Sequence, residues 1–414
     1  MVSPQDEIRV SRVVFDYAAR IGQEQDLDRL LVLAADMARD LLAADRCSIW
    51  MVDPATGEMW TRVAHGVEPI RVPAGHGLVG ACVQGNEIIL VNDALNDPRL
   101  SRSVGQKTGY ETRSVLCMPL HGASERVIGA FQALNKPGGF PPEDVRLLHL
   151  AASYSASAIE TQTLRKEAEQ AQLMRRELEI ARDVQMRLFP RVLPAVPGVE
   201  YECYCCPAKF VGGDYYDVIP MPGGRTCITL GDVSGKGIPA AVLMASIQAS
   251  IRVNMTRGAD SLVDAIRALN QTVYSTTTAE RYTTLFTAFL EPGARRITYL
   301  NGGQAAPMLL RASGALERLD EGGPPVGLLP AAPYREATLD LQAGDLLVVF
   351  SDGISEANNP AGELWNEDEL EQVVRSCAGL PAPQARDRIL EAANRFGDGA
   401  DPADDMTLTV FRCI

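Results

Sequence analysis

From Glu143 to Phe189 the chain contains neither glycine nor proline, the two residues that most readily interrupt a helix. So long a run predicts one continuous helix joining a domain before it to a domain after it. Pro190 ends the run, and Pro194, Pro197 and Gly198 mark the boundary of the second of these domains. With Leu164, Ala171, Leu178 and Gln185 at heptad position a, and Glu167, Met174, Ala181 and Leu188 at d, six of the eight seam positions are apolar. That pattern predicts a parallel coiled coil and a homodimer. The small and polar residues in the seam make the coil weak, which suits a helix that passes on a signal.

A chain of 414 residues exceeds one ordinary core, so two or three domains are expected. The balance of 39 basic against 53 acidic residues, a net charge of -14, disfavours nucleic acid as a partner. No stretch reads as long and apolar enough to cross a membrane, and Met1 to Glu7 lacks a signal peptide's basic and apolar blocks. The expectation is a cytoplasmic protein with no membrane partner. The nine cysteines are an odd, scattered set without paired Cys-x-x-Cys spacing, which argues against a disulfide framework or a structural zinc site. Cys203 and Cys205 would share one strand face and Cys206 the other, as packed core residues do.

Before the long helix, residues 5 to 44 read as two helices, the second carrying Leu27, Leu30, Leu31, Ala34, Ala35, Ala38, Leu41 and Leu42 at helical spacing. Cys47 to Val52 and Glu58 to Ala64 read as a strand hairpin around Asp53-Pro54-Ala55-Thr56-Gly57. A short helix over Gly75 to Val83, a strand over Ile88 to Val91, a loop from Asn92 to Arg102 and strands over Ser114 to Leu120 and Val127 to Leu134 complete the segment. This order, with Gly77-Leu78-Val79-Gly80, Val91-Asn92-Asp93, Val115 to Leu120 and Ile128-Gly129-Ala130, resembles a GAF domain over about Asp26 to Thr161. The resemblance implies an antiparallel sheet, a small-molecule ligand, sensing and dimer contact. Asn135, Lys136, Phe140 and Asp144 match part of the signature of cyclic-nucleotide-binding members, but Val145 stands where that signature ends in glutamate. A surface turn at Asn135 to Gly139, with Phe140 stapled to the next helix, is the simpler expectation. Packing is likewise the simpler role for His76, Cys82, Cys117 and His121, the side chains here able to bind haem or act in redox chemistry.

After the long helix the chain turns strand-rich: Val199 to Cys206, Tyr215 to Ile219, Arg225 to Leu230, Leu285 to Leu290, Ile297 to Leu300, Met308 to Arg311, Ala337 to Leu341 and Leu346 to Phe350. Helices over Ile238 to Thr256 and Leu262 to Thr278 sit among them. Strands interrupted by a helix pair, rather than strict alternation, indicate an α+β sandwich. Acidic residues punctuate the strand ends in Gly212-Gly213-Asp214-Tyr215-Tyr216-Asp217, Gly231-Asp232-Val233, Ser351-Asp352-Gly353 and Asp404-Asp405-Met406-Thr407. Carboxylates gathered without His or Cys make a hard oxygen site suited to Mg2+ or Mn2+. A nucleotide P-loop at Gly231 to Gly237 fails on spacing, with three residues where four belong and Gly237 where Ser or Thr should stand.

These motifs, with Ser234-Gly235-Lys236-Gly237-Ile238-Pro239-Ala240, Asn301-Gly302-Gly303-Gln304, Ala306-Pro307, Pro324-Pro325-Val326-Gly327 and Phe350 to Ala357, resemble the metal-dependent (PPM, type 2C) protein phosphatases. The branch is that of stage II sporulation protein E and the stress-response sigma-factor regulators, and the likeness runs from about Pro190 to Ile414. Leu178 to Pro190 is similar to the helix preceding the catalytic core in that branch. The resemblance implies an αββα sandwich binding two Mn2+ or Mg2+ ions. Asp232 would bridge them, the Val233 carbonyl would be a backbone ligand, Asp352 and Asp404 would complete one metal, and Asp214 would hold the other side. Asp217 and Asp405 would support this set, and Lys209 and Lys236 are candidates for phosphate contact. Ser234 replaces the His that eukaryotic members carry two residues after the bridging acid, and Ser234 and Ser351 read as turn residues rather than nucleophiles.

The expected domains are an N-terminal helix over 1–25, a GAF-like sensor over 26–161, a coiled-coil linker over 162–189 and a phosphatase-type domain over 190–414. The implied function is a sensor-regulated phosphatase acting on a phosphoserine or phosphothreonine protein, by resemblance an anti-sigma-factor antagonist in a partner-switching stress pathway. The alternative is a signalling scaffold in which both domains only bind, a ligand in one case and a partner protein in the other.

Overall fold

The computed structural model describes residues 4–61, 70–101, 110–123, 125–278, 280–293 and 295–414. Contacts divide it into two units, Met1–Leu173 and Met174–Ile414.

In the first unit, helices α1 (Pro4–Gln23) and α2 (Leu27–Leu42) are followed by strands β1 (Arg46–Val52), β2 (Met59–Thr61) and β3 (Ile70–Val72). Helix α3 (Gly77–Gly85), then β4 (Ile89–Val91), β5 (Val115–His121) and β6 (Val127–Leu134), lead to α4 (Glu143–Met186). The strands form one antiparallel sheet in the order β3-β2-β1-β6-β5-β4. Alternation along each strand serves both faces. Cys47, Ile49, Met51, Leu116, Met118 and Leu120 point into a core with α1, α2 and the first turns of α4. Trp50, Val115 and Cys117 point the other way, onto α3 residues Leu78, Val79 and Cys82. Asp26 caps α2 by accepting from the Arg29 amide, which satisfies one orphan donor of the first turn. The expected hairpin is present, with Trp50 opposite Thr61, while residues 62–64 of its second strand lie outside the described residues, as does Arg102.

The second unit contains β7 (Val199–Cys206), β8 (Tyr215–Pro220), β9 (Thr226–Val233), α5 (Ile238–Thr256), α6 (Leu262–Thr276), β10 (Thr283–Leu290), β11 (Arg296–Gly302), β12 (Met308–Leu310) and β13 (Leu316–Arg318). After these come β14 (Gly322–Gly323), β15 (Ala337–Asp340), β16 (Leu346–Phe350), α7 (Asp352–Ser355), α8 (Glu367–Ser376), α9 (Ala382–Gly397) and β17 (Met406–Cys413). One sheet runs β14-β11-β10-β9-β8, with β15 on β11, and the other β13-β12-β16-β17-β7. Val218, Ile228, Leu230 and Phe286 of the first sheet meet Leu347, Val349, Phe411 and Cys413 of the second in the middle core. Helices α5 and α6 cover the first sheet, and α8 and α9 the second. This is the αββα sandwich, with a mixed α+β fold throughout.

Several expectations need correction. Strand β9 continues through Gly231, Asp232 and Val233, which pair with Leu285, Thr284 and Thr283, so the acid lies within the ladder rather than in a turn after it. Helices α8 and α9 and strand β17 are elements that the sequence pattern did not predict. Helix α4 stops at Met186, because Leu188 and Phe189 enter the core under α5. The last seam residues also turn toward their own domain: Gln185 is buried, and its amide donates to the Gly212 carbonyl at 2.7 Å and accepts from the Gly212 N–H at 3.1 Å. One helix, α5, is long and apolar enough to span a membrane by length and composition, contrary to the expectation from sequence. Ala240, Met244, Ile247, Ile251 and Met255 on it pack into the domain core.

Candidate metal centre

The strand parity that builds the middle core also builds the site. Asp214 precedes β8 in the same parity as Val218, and Asp232 shares the parity of Ile228 and Leu230, so both point to the side between the sheets. Asp405 precedes β17 in the parity of Phe411 and Cys413 and comes to the same side from the opposite sheet. Asp352 opens α7 immediately after β16, and Asp404 stands beside Asp405.

The acids lie within electrostatic reach of one another. Burial, then the charges of Asp352, Asp404 and Asp405, push the Asp232 carboxyl up to about 7. Burial and the neighbouring Asp232 hold the Asp214 carboxyl well above the usual range. The Asp352 carboxyl is raised by burial, then by Asp404 and Glu356. Asp214 is 2% exposed, and neither of its carboxylate oxygens, nor Oδ1 of Asp352, has a hydrogen-bond partner among the described residues. Buried oxygens without donors are costly unless a cation or a proton meets them. The Val233 carbonyl packs against the turn before Asp214: it lies 2.8 Å from where a Cβ on Gly213 would stand, so residue 213 must be glycine for the turn to come this close.

Asp405 does not share that openness. Its carboxylate accepts from the amides of Ala208 at 2.8 Å and Gly213 at 2.6 Å, which fixes the turn carrying Asp214. A side chain at position 353 would collide with the Asp405 carbonyl, so Gly353 lets the segments flanking the neighbouring strands β16 and β17 close up. Gln304 ties the sheets on the other flank, accepting from Thr284 Oγ1 at 2.5 Å and donating to the Phe350 carbonyl at 2.9 Å. Thr284 lies opposite Asp232 in the ladder, and Phe350 is two residues before Asp352. The Asn301-Gly302-Gly303-Gln304 motif thus acts as a brace, a role its sequence did not disclose.

Asp217 belongs elsewhere. It has the opposite parity, faces the helix layer, and is held by Arg252 of α5 through Nε at 2.6 Å and a second guanidinium nitrogen at 2.9 Å. Ser234 and Ser351 are committed to the backbone: Ser234 Oγ donates to Glu280 O and accepts from Tyr282 N, while Ser351 Oγ donates to Asp405 O and accepts from Thr407 N. Lys209 is exposed. Lys236 Nζ lies 2.7 Å from Asp404 Oδ2. Arg281, which no motif marked, donates to the Ser234 carbonyl at 2.9 Å and so stands beside the Gly235-Lys236-Gly237 loop. The β9–β10 pairing brings it there from far along the chain.

The donor set is all oxygen, the chemistry of Mg2+ or Mn2+ sites, and the three orphaned oxygens fit such an ion. Among the described residues, no group of three or more Asp, Glu, His or Cys side chains is drawn into a closed metal cage.

In the first unit, the residues resembling a nucleotide signature are structural. Lys136 pairs with Asp144 at 2.7 Å, and Asp144 is 3% exposed. Asn135 Oδ1 accepts from the Arg113 amide, and Asn92 brackets the Phe140 backbone. His76 bonds Ser101, His121 bonds Asn86, and Cys82 and Cys117 are fully buried.

Comparison with known proteins agrees with both halves. Residues 222–414 match the family described as Stage II sporulation protein E (SpoIIE), and residues 26–159 match the GAF domain. Strands β7 and β8 precede the first match yet complete the two sheets. The chain is 27% identical over 284 residues to phosphoserine phosphatase RsbU of Bacillus subtilis, covering 66% of this chain and 81% of that protein. It is 24% identical over 260 residues to Protein IcfG of Synechocystis sp., covering 56% of this chain but only 41% of that protein's length. The SiaA-PP2C domain of Pseudomonas aeruginosa shares the fold, with a TM-score of 0.54 and 19% identity over 60% of this chain and 100% of that one. The chain therefore carries a GAF domain and, after α4, a phosphatase domain of the stage II sporulation protein E family.

Proposed function

We propose that this chain is a cytoplasmic, sensor-regulated protein serine/threonine phosphatase dependent on Mn2+ or Mg2+. Its substrate is a small phosphoprotein, an anti-sigma-factor antagonist of a partner-switching stress pathway. The observation that carries the reading is the set of orphaned acidic oxygens at adjoining strand ends, which call for hard cations. The likeness to a protein named phosphoserine phosphatase supports the substrate class.

In this reading Asp232 would serve both ions, the Val233 carbonyl would be a backbone ligand, Asp352 and Asp404 would complete one ion, and Asp214 would hold the other side. The chemistry such ions supply when bound is Lewis acidity toward phosphoryl oxygens and a lowered pKa of water. The protein's own part is positioning. Asp405 fixes the Asp214 turn through the Ala208 and Gly213 amides, and Gln304 holds the strand ends of Asp232 and Asp352 in register. Arg281, with only a carbonyl partner for its charge among the described residues, is available to the substrate's phosphate. Ser234 and Ser351, committed to backbone bonds, take no covalent role. The domains of the reading are 1–25, 26–161, 162–189 and 190–414, with a small-molecule ligand in the second and a homodimer formed through the third.

The test is phosphate release from a phosphoserine protein with Mn2+, beside Asp232→Asn and Asp352→Asn. Each variant is expected to lose at least 100-fold in rate, on the order of 3 kcal/mol of transition-state stabilisation. A wild-type chain inactive with every divalent metal overturns the assignment and leaves a binding role for the fold.

A further inference from the structure

Lys236 occupies an unusual place. It lies in the loop between Asp232 and α5, flanked by Gly235 and Gly237 with φ of 92° and 77°. Its Nζ is 2.7 Å from Asp404 Oδ2 and donates to the Ala403 carbonyl at 2.6 Å. Among Asp214, Asp232, Asp352 and Asp404, only Asp404 has an ion-pair partner among the described residues. The pair stands at the rim, with side chains 46% and 35% exposed, so the ammonium can leave without stranding a buried charge.

An ammonium and a divalent cation cannot both sit on one carboxylate without repelling each other. We propose that Lys236 is a built-in competitor for the metal, its ammonium holding Asp404 until a divalent ion displaces it. This rests on the reading of Asp232, Asp352 and Asp404 as metal ligands. The same competition weakens the apparent metal affinity in proportion to the fraction of time the lysine holds Asp404. The loop is suited to the exchange: two left-handed glycines release the chain on either side of residue 236, while Arg281 pins the loop's start at Ser234.

The experiment is calorimetric titration of the full chain with MnCl2 at fixed pH and low salt, for wild type and Lys236→Met. The variant is expected to bind Mn2+ about 1.5- to fivefold more tightly, the range set by the worth of a partly exposed ion pair. High salt should narrow the gap, since the lost pair is screened. In an Asp404→Asn background, Lys236→Met should bring a smaller gain, because the lysine has lost the partner it competes for and only its charge near Asp352 remains. Equal or weaker Mn2+ binding by Lys236→Met overturns the proposal, as does a gain that is undiminished without Asp404. Circular dichroism melts check folding, and Lys236→Gln serves if the methionine variant is compromised. Absence of Mn2+ binding in wild type and variant alike overturns the metal reading itself, a result distinct from equal binding by both.

Discussion

At the scale of single residues, the acids of this domain divide by which face of a strand they occupy. Asp232 faces the other carboxylates, and its folded pKa of about 7 lies above the ordinary 3.8. As pH rises from about 4, the unfolded chain releases this proton first while the native state keeps it to about 7, so the native state binds more protons and stability falls across that window. Metal-free protein is therefore expected to lose stability between about pH 4 and pH 7, by a few kcal/mol at most. Asp232→Asn should reduce this slope, the raised Asp214 and Asp352 carboxyls supplying the rest, and should exceed wild type in stability at pH 8, which urea midpoints in chelator will read. A metal-free wild type whose stability rises over that interval contradicts the crowding. Asp217 has the opposite fate. It is 0% exposed and matched by a bidentate arginine, so Arg252→Leu strands a buried charge and should cost about 3 kcal/mol in a denaturant titration. Asp217→Leu combined with Arg252→Leu should cost less than Arg252→Leu alone, because no lone charge remains.

At the scale of elements, legibility followed locality. The core strands could be read because their alternation is written in consecutive residues, as in Cys227-Ile228-Thr229-Leu230, and α5 because Pro239 sits in its first turn. Asp214, Asp232, Asp352 and Asp404 stood out because each abuts glycine, serine or another acid at a strand end. What escaped depends on partners distant in sequence. Arg281 reaches the site through β9–β10 pairing, Gln304 through a bond to β16, and Arg252 through a helix packed on β8. Helix α8 escaped for another reason: Glu367-Asp368-Glu369 make its start read as a charged loop, although Asn366 caps it by accepting from the Glu369 amide. The heptad reading of α4 meets a similar limit. Gln185 and Leu188 serve their own domain, which leaves Leu173, Ile180 and Val184 as an exposed apolar stripe, 60%, 64% and 58% accessible. A dimer through α4 would cover this stripe, so Ile180→Glu with Val184→Glu should shift sedimentation from dimer to monomer while leaving the melting profile of each domain in place. Unchanged sedimentation of a dimeric wild type would move the contact off this face.

At the scale of the whole molecule, each unit has its own hydrophobic core, and a single helix, α4, begins in the first unit and ends in the second. Its last turn is fastened to the turn that carries Asp214, because Gln185 bonds the Gly212 backbone on both its donor and acceptor sides. Rotation or fraying of that turn would break both bonds and leave the Gly212 N–H and C=O unpaired inside the protein, a cost of about 1–3 kcal/mol each. Such a cost is large enough to bias the geometry of an acid two residues away and small enough to be overcome by ligand binding in a sensor. Removing residues 1–162 while keeping the rest of α4 is therefore expected to change the rate of phosphate release by about threefold or more, with Mn2+ affinity moving in the same direction. Gln185→Leu in the shortened chain should reduce that difference, since the fastening through which the helix acts is gone. Equal rates and equal Mn2+ affinities in the full and shortened chains would mean that the GAF domain places the enzyme in the cell without setting its activity.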